Sequence, residues 1–392
     1  MIDLADSPEE AAFRLEVQKW VAANADRSPD VETMPGSADV TAWRAWSRRI
    51  YDAGLAGVTW PKEFGGRGLS HACQAIWGES IADAGVADHL GLVGMGMAGP
   101  TIIECGSDEQ KRMFLDATLR CDIVWCQGFS EPGSGSDLAS IRTGARLDGD
   151  HWVVSGQKVW SSWAHIADWC ILLVRTDPAA PTRHALSYLL VDMRSPGVTV
   201  RPLRQLTGDP EFNEVFFDDV RVPVSMTVGR PGDGWQVAMT TLKHERATLG
   251  LGLASRLTAA VDSVIELVTA PNGEGRTPAD DEDLIRRLVD VWIDSQSLRM
   301  LNLRVVSALS ASDEPPAFGS VTKLRWSEAN QRLMQIACDA VWSSSVVEDA
   351  PGSEADWTFQ QLRSRGNTIE AGTSEVLRSI IAERVLHLPK SR

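Results

Sequence analysis

Two changes of hydrophobic period constrain this chain more than any single motif. In its first third, apolar residues recur at helical spacing through Phe13, Val17, Trp20 and Val21. Ser7-Pro8-Glu9-Glu10 supplies an N-cap, a first-turn proline and a capping glutamate three residues on. Pro61, Gly65, Gly66 and Gly68 break the stretch from Trp60 to Gly68, and helical pattern resumes over about 111–119. From about Val124 to Val228 the period shortens. His151-Trp152-Val153-Val154, Ile171-Leu172-Leu173-Val174, Leu189-Leu190-Val191 and Glu214-Val215-Phe216-Phe217 are short β-type runs between Gly, Pro and Asp turns. That spacing predicts a compact antiparallel β domain. Beyond Gly234 helical periodicity returns almost to Pro389, with loops expected at Pro271–Asp283 and Asp313–Phe318. A chain of 392 residues also exceeds what one core usually serves. The division expected is 1–122 helical, 123–234 β and 235–392 helical.

Charge and cysteine pattern exclude several classes. A formal charge of −15 argues against a protein that tracks nucleic-acid phosphates. No apolar run approaches membrane-spanning length, and Met1-Ile2-Asp3-Leu4-Ala5-Asp6 lacks the basic start of a secretion signal. A cytoplasmic location is the expectation. Cys73, Cys105, Cys121, Cys126, Cys170 and Cys338 form no Cys-x-x-Cys pair and have no histidine pair at metal-ligand spacing, so free thiols and no metal are expected. His244 stands near a charged cluster, where a local hydrogen-bonding role is the reading.

Two segments bear on chemistry. Ser130-Glu131-Pro132-Gly133-Ser134-Gly135-Ser136-Asp137 can bring backbone N–H groups and hydroxyls close to a flat or anionic ligand. Alone, it reads equally as a polar surface loop. Gly156-Gln157-Lys158-Val159-Trp160-Ser161-Ser162 ends a strand with an indole and two hydroxyls, able to stack on a conjugated ring and donate to its nitrogens. Core filling is the alternative role for Trp160, in a chain with 15 tryptophans.

Together these segments resemble the acyl-CoA dehydrogenase family. The likeness continues through Phe212-Asn213-Glu214-Val215-Phe216-Phe217-Asp218-Asp219-Val220-Arg221-Val222-Pro223 and Thr368-Ile369-Glu370-Ala371-Gly372-Thr373-Ser374-Glu375. Ile380-Ile381-Ala382-Glu383-Arg384-Val385-Leu386 follows, and Trp60-Pro61-Lys62-Glu63-Phe64-Gly65-Gly66 is a weaker match near the start. The resemblance implies an N-terminal α-helical domain, a middle β-barrel and a C-terminal four-helix bundle. It implies FAD, with Phe129, Ser130, Trp160, Ser161 and Ser162 lining the isoalloxazine and Ser162 bonded to flavin N5. Ser136 falls where the family contacts the CoA part of the substrate, and Thr373 and Glu375 where it contacts the adenosine-diphosphate part of FAD. An acyl-CoA substrate, an electron-transfer flavoprotein or similar acceptor, and an oligomer are implied as partners.

The reaction needs a carboxylate base for the α-proton and donors to the thioester oxygen. Many relatives place that base in the loop aligned here with Ala371, and Glu370 is one residue early. A second subgroup places it on a bundle helix, immediately before an arginine. Leu242-Lys243-His244-Glu245-Arg246 matches that pattern, which makes Glu245 the expected base and Arg246 a substrate-binding or electrostatic residue. A solvated helix charge pair is the alternative reading.

Two family features are missing. Thr269-Ala270-Pro271-Asn272-Gly273-Glu274-Gly275-Arg276-Thr277-Pro278 replaces an Arg-x-x-Phe-Gly that reaches FAD in a neighbouring subunit. Trp342-Ser343-Ser344-Ser345-Val346 replaces a Gln-x-x-Gly-Gly with the same task. This resembles the actinobacterial-type dehydrogenases of steroid side-chain breakdown, in which two different subunits build each FAD site. A hetero-oligomer with a related dehydrogenase chain is therefore expected, a homo-oligomer being the plainer alternative. A flavin-dependent oxidase or monooxygenase, and a non-catalytic partner subunit, are the competing functions.

Overall fold

The computed structural model describes residues 6–29, 40–271, 277–312, 318–341 and 353–389. Its helix α1 (Pro8–Asn24) starts on the expected capping box. Ser7 N donates to Glu10 Oε2 at 2.7 Å and Glu10 N donates back to Ser7 Oγ at 3.3 Å. Helices α2 (Val40–Asp52) and α3 (His71–Ala84) follow. A π-helical turn, Gly94–Ala98, leads into α4 (Gly99–Cys105) and then α5 (Asp108–Leu119). Only glycine fits at the start of α4, since a Cβ on Gly99 would lie 2.1 Å from the Trp60 ring. The freed carbonyl of Met95, within the π turn, accepts from Trp60 Nε1 at 3.2 Å.

Eight strands follow: β1 (Trp125–Gly128), β2 (Gly144–Asp148), β3 (His151–Ser162), β4 (Trp169–Arg175), β5 (Leu186–Asp192), β6 (Val198–Leu203), β7 (Phe212–Pro223) and β8 (Thr227–Val228). They form one sheet in the order β6-β7-β3-β2-β4-β5-β8, with β1 joined to β4. Most pairings are antiparallel as expected, but β1 and β2 each run parallel to β4. Strand β1 enters the sheet from α5 and not from a hairpin, so no tight turn dictates its direction. Strands β4 and β5 are buried nearly throughout, which explains their unbroken apolar runs. Trp152, Val154, Leu172, Leu189, Val191, Val215 and Phe217 are part of the core between these strands.

The C-terminal part is helical: α6 (Gly234–Thr269), α7 (Glu282–Ser312), α8 (Phe318–Ala340), α9 (Ser353–Ser364) and α10 (Ser374–Arg384). Leu257, Val261 and Val264 of α6, Leu284, Leu288 and Val291 of α7, and Leu333, Met334 and Ala337 of α8 share one apolar core. Trp357 of α9 packs against it, giving the four-helix arrangement expected. The chain forms two compact units: one comprises Ala23–Leu69 and Val86–Glu245, the other the residues up to Ala22, Ser70–Gly85 and those from Arg246 on.

Candidate active site

The Gly/Ser-rich loop is held from below by a buried charge pair. Lys158 Nζ donates to Glu131 Oε1 at 2.9 Å and to Phe129 O at 3.0 Å. Glu131 also accepts from Arg142 N at 2.7 Å and Thr143 N at 2.9 Å. Burial pushes the Lys158 ammonium down to about 8, and the Glu131 carboxylate holds it from falling further. Burial would raise the Glu131 carboxyl, but Lys158 and the donors around it hold it below the usual range. The loop then turns tightly. Glu131 and Ser134 exchange both backbone hydrogen bonds, at 2.9 and 3.0 Å, and Val159 N donates to Ser130 O at 3.0 Å. A cleft of about 380 Å³ opens beside it, walled by Glu131, Ser134, Arg142 and Gln157 among others. Phe129 is buried, Ser130 half-buried, and Ser136 exposed on the loop's outer side.

Strand β3 reverses the usual exposure of its residues. Register shifts at Val154/Gly156 and Lys158/Ser161 turn Lys158 inward and Trp160 outward. Trp160 is 61% exposed, whereas Trp46, Trp125 and Trp152 are buried. Its backbone sits at φ +61°, in the left-handed region, where a bulky side chain costs about 1–3 kcal/mol. The indole meets Phe212 edge-on, centroids 6.1 Å apart, leaving its other surface open. Ser161 Oγ is buried without a hydrogen-bond partner, while Asn213 Nδ2 holds the Ser161 carbonyl at 3.0 Å. Trp163 Nε1 and His165 Nε2 are likewise buried and unmatched. An open indole held in a strained conformation, next to an unmatched buried hydroxyl and a half-buried Ser162, fits a flat ring edged with hydrogen-bonding atoms.

Glu245 lies on α6 and is 8% exposed, so it is no solvated surface charge. Its neighbour His244 points to α4, Nε2 lying 3.0 Å from Glu104 Oε2. That is a local hydrogen bond, as expected. The Arg246 side chain lies outside the described residues. Leu242 and Lys243 are half-buried.

The loop before α10 is anchored independently. Lys323 Nζ donates to Asn367 O and to Gly372 O, each at 2.8 Å. Glu370 accepts from Arg363 Nη2 at 3.0 Å and Asn367 Nδ2 at 2.8 Å, so its carboxylate is already committed. Ala371 is exposed at φ +51° and Gly372 follows at φ +95°. Thr373 Oγ1 caps α10 by accepting from Val376 N at 3.3 Å. Glu375 is exposed in the first turn, its carboxyl held low by its own backbone N–H and by Thr373.

The Lys158–Glu131 pair and the loop-anchoring contacts of Lys323 and Arg363 are not apparent from the sequence motifs. The pair had a signal: a lysine followed by Val159 and Trp160 inside a strand. Of the replaced cross-subunit segments, Asn272–Arg276 and Trp342–Val346 lie outside the described residues. Among the described residues no helix is long and apolar enough to cross a membrane.

Comparison with known proteins gives matches along almost the whole chain. The acyl-CoA dehydrogenase N-terminal, middle and C-terminal domain models match residues 7–122, 126–220 and 232–386. The acyl-CoA dehydrogenase IpdE1 of Mycobacterium tuberculosis is 41% identical over 385 residues, covering 96% of this chain and 97% of that protein. FadE29 of the same organism is 36% identical over 392 residues, covering 99% of each. A solved structure described as the Tcur3481-Tcur3483 steroid ACAD superposes with TM-score 0.86 at 28% identity, covering 99% of this chain and 100% of that one. The ChsE4-ChsE5 complex from Mycobacterium tuberculosis gives 0.86 at 29% identity, with the same coverage.

Proposed function

The chain belongs to the acyl-CoA dehydrogenase family of flavin-dependent oxidoreductases, and we propose that it uses FAD and Glu245 to introduce an α,β double bond into an acyl-CoA thioester. The observation behind Glu245 is twofold. It is a buried carboxylate on α6, while the loop position that serves many relatives is Ala371 and the adjacent Glu370 is tied to Arg363 and Asn367. A positioned carboxylate is the group that removal of a weakly acidic α-proton requires.

FAD, when bound, accepts the hydride from Cβ. Trp160 offers its open face as a stacking surface, and Ser161 and Ser162 offer hydroxyls to the ring edge. Phe129 and Ser130 form the adjoining wall, fixed by Lys158 and Val159. Ser136 on the loop's outer side and Arg246 next to the base are the candidate thioester contacts. Thr373 and Glu375 are candidates for the adenosine-diphosphate end. The domain division 1–122, 123–234 and 235–392 is part of this reading.

The active form pairs this chain with a related dehydrogenase chain, for which the two-chain complexes Tcur3481-Tcur3483 and ChsE4-ChsE5 are the precedent among its structural relatives. Substrates to test are fatty acyl-CoA esters and steroid side-chain acyl-CoA esters. Anaerobic mixing of the flavin-loaded enzyme with that panel should bleach the flavin and yield a 2-enoyl-CoA. Reoxidation by an electron-transfer flavoprotein should outpace reoxidation by oxygen. Consumption of oxygen as the main route would instead identify an oxidase.

A further inference from the structure

Tyr188 is wholly buried in β5, in contact with Phe129 and with Thr241 of α6. Its ring stands edge-on to Phe129, at the root of the Gly/Ser-rich loop, with centroids 5.9 Å apart and planes at 86°. Its hydroxyl lies 3.0 Å from Thr241 Oγ1 on α6, and Thr241 Oγ1 lies 2.9 Å from Thr101 Oγ1 on α4. Thr101 Oγ1 donates to Met97 O at 2.7 Å. Thr101 donates to the Met97 carbonyl in the π turn and Tyr188 to Thr241, while Thr241 has two acceptors in reach, Thr101 Oγ1 and, at 3.1 Å one turn back on α6, Val237 O. All three side chains are fully enclosed. A buried chain of this kind favours one geometry, because moving Thr241 away takes from the enclosed Tyr188 hydroxyl its partner on α6, at a cost of about 1–3 kcal/mol.

The geometry it enforces is that of the first turns of α6. Thr241 stands one helical turn before Glu245, on the same face. One step further along both helices, His244 Nε2 meets Glu104 Oε2 at 3.0 Å. Thr101 and Glu104 are three apart on α4, and Thr241 and His244 three apart on α6, so the helices meet at two successive points. One contact alone would permit sliding and rotation about it; two hold the helices in register along their length. Tyr188 adds the third direction, toward the loop.

We propose that Tyr188, acting through Thr241 and Thr101, is a positioning residue for the α-proton base: it sets the rotation of α6 so that the Glu245 carboxylate is presented at the reacting carbon. This rests on the reading of Glu245 as the base. Tyr188 touches neither substrate nor flavin and transfers no proton.

The test uses the flavin-loaded enzyme with the best substrate of the acyl-CoA panel. Two rates are measured: anaerobic flavin bleaching, and uptake of deuterium at the thioester α-carbon in heavy water, which reports the base alone. Tyr188→Phe removes one oxygen and keeps the ring against Phe129. It should slow both rates about 10- to 100-fold, the size expected of a misplaced base, with KM and the flavin spectrum nearly unchanged. Thr241→Val should reproduce the loss and Thr241→Ser should recover most of the rate. If Tyr188→Phe does not fold, the Thr241 pair decides by the same criterion. Unchanged rates in the hydroxyl-deleting variants, with Glu245→Gln inactive, overturn the positioning role and leave the base standing. Normal bleaching by Glu245→Gln overturns both.

Discussion

Lys158 Nζ sits 2.9 Å from Glu131 Oε1, with the lysine side chain entirely enclosed and the carboxylate nearly so. The pair joins the root of the Gly/Ser-rich loop to the strand that presents Trp160. Removing Lys158 leaves the mostly buried Glu131 carboxylate without its counter-ion. Lys158→Met should therefore destabilise the protein by about 3–5 kcal/mol and loosen flavin binding. The double variant Glu131→Gln/Lys158→Met should recover a large part of that loss, since no charge is left unpaired. Urea unfolding of four proteins, the parent, Lys158→Met, Glu131→Gln and the double variant, measures the coupling; simple additivity would mean the two charges do not act as a pair.

Acid sensitivity should begin near neutrality. Burial is the main force lowering the affinity of His89, His165 and His244 for protons, so each binds a proton less readily folded than unfolded. Below the ordinary histidine value of 6.5 the unfolded chain binds more protons. Stability is then full above that value and falls as pH drops, by up to about 1.4 kcal/mol per pH unit for each histidine. His89 is the clearest case, with Nε2 3.0 Å from Leu119 O and Nδ1 accepting from Gly91 N at 2.9 Å. His89→Gln should flatten the slope of stability between pH 5 and about 6.5. An unfolding midpoint that does not move between neutrality and the low end of that window would refute this.

How far the sequence was legible depends on which force decided each element. The capping box at Ser7, the buried runs of β4 and β5 and the shared core of α6, α7 and α8 follow from local pattern and burial. The parallel pairing of β1 with β4 does not, because strand direction there depends on contacts distant in sequence. The site was legible as motif but not as geometry. Gly156 and the motif around it showed that β3 ends in something unusual, yet only the two register shifts explain why Lys158 points in and Trp160 points out. Tyr188 was invisible for a plainer reason: inside Leu186-Ser187-Tyr188-Leu189-Leu190 it is indistinguishable from core.

Trp160 supplies the largest open apolar surface proposed for the flavin. Trp160→Ala should weaken FAD retention about 10- to 100-fold, in line with the stacking and burial lost by one indole. Being 61% exposed, it should leave the melting temperature of the flavin-free protein almost unchanged. Dialysis followed by absorbance at the flavin band reads the first, and calorimetry the second. Full flavin occupancy in the variant would remove Trp160 from the site.

The two glutamates make opposite predictions. Glu245→Gln should retain fold and flavin while flavin bleaching by substrate falls at least about 10²–10⁴-fold. Glu370→Gln should bleach at near the parent rate but lower stability, because it weakens the bonds to Arg363 and Asn367 that shape the loop before α10. Should Glu370→Gln be the inactive protein, the base belongs to the loop and the helix assignment fails.

The last prediction concerns assembly. In the family to which this chain belongs, each FAD lies across a subunit interface, and one chain's loop depends on an arginine and a glutamine from another. On the proposed reading, the loop at Ser130–Asp137 and the open indole of Trp160 would form the receiving side. Its sequence has Pro271, Gly273 and Gly275 where the lent arginine belongs, and Ser343, Ser344 and Ser345 where the glutamine segment belongs. Two copies of this chain would leave the diphosphate without its charge-assisted, often bidentate guanidinium contact. Expressed alone, the protein should therefore bind FAD weakly and turn over slowly. Co-expressed with a related dehydrogenase chain that retains both segments, it should form a stable complex with fewer FAD molecules than chains. Arg276 and Arg287 are the local cations that would have to substitute in a homo-oligomer, although Arg287 is already paired with Asp339 at 2.7 Å. Size-exclusion chromatography with light scattering, together with flavin-to-protein absorbance ratios, distinguishes the two assemblies. One tightly held FAD per chain, with full turnover and no partner, would show that this chain lends its neighbour everything the site needs.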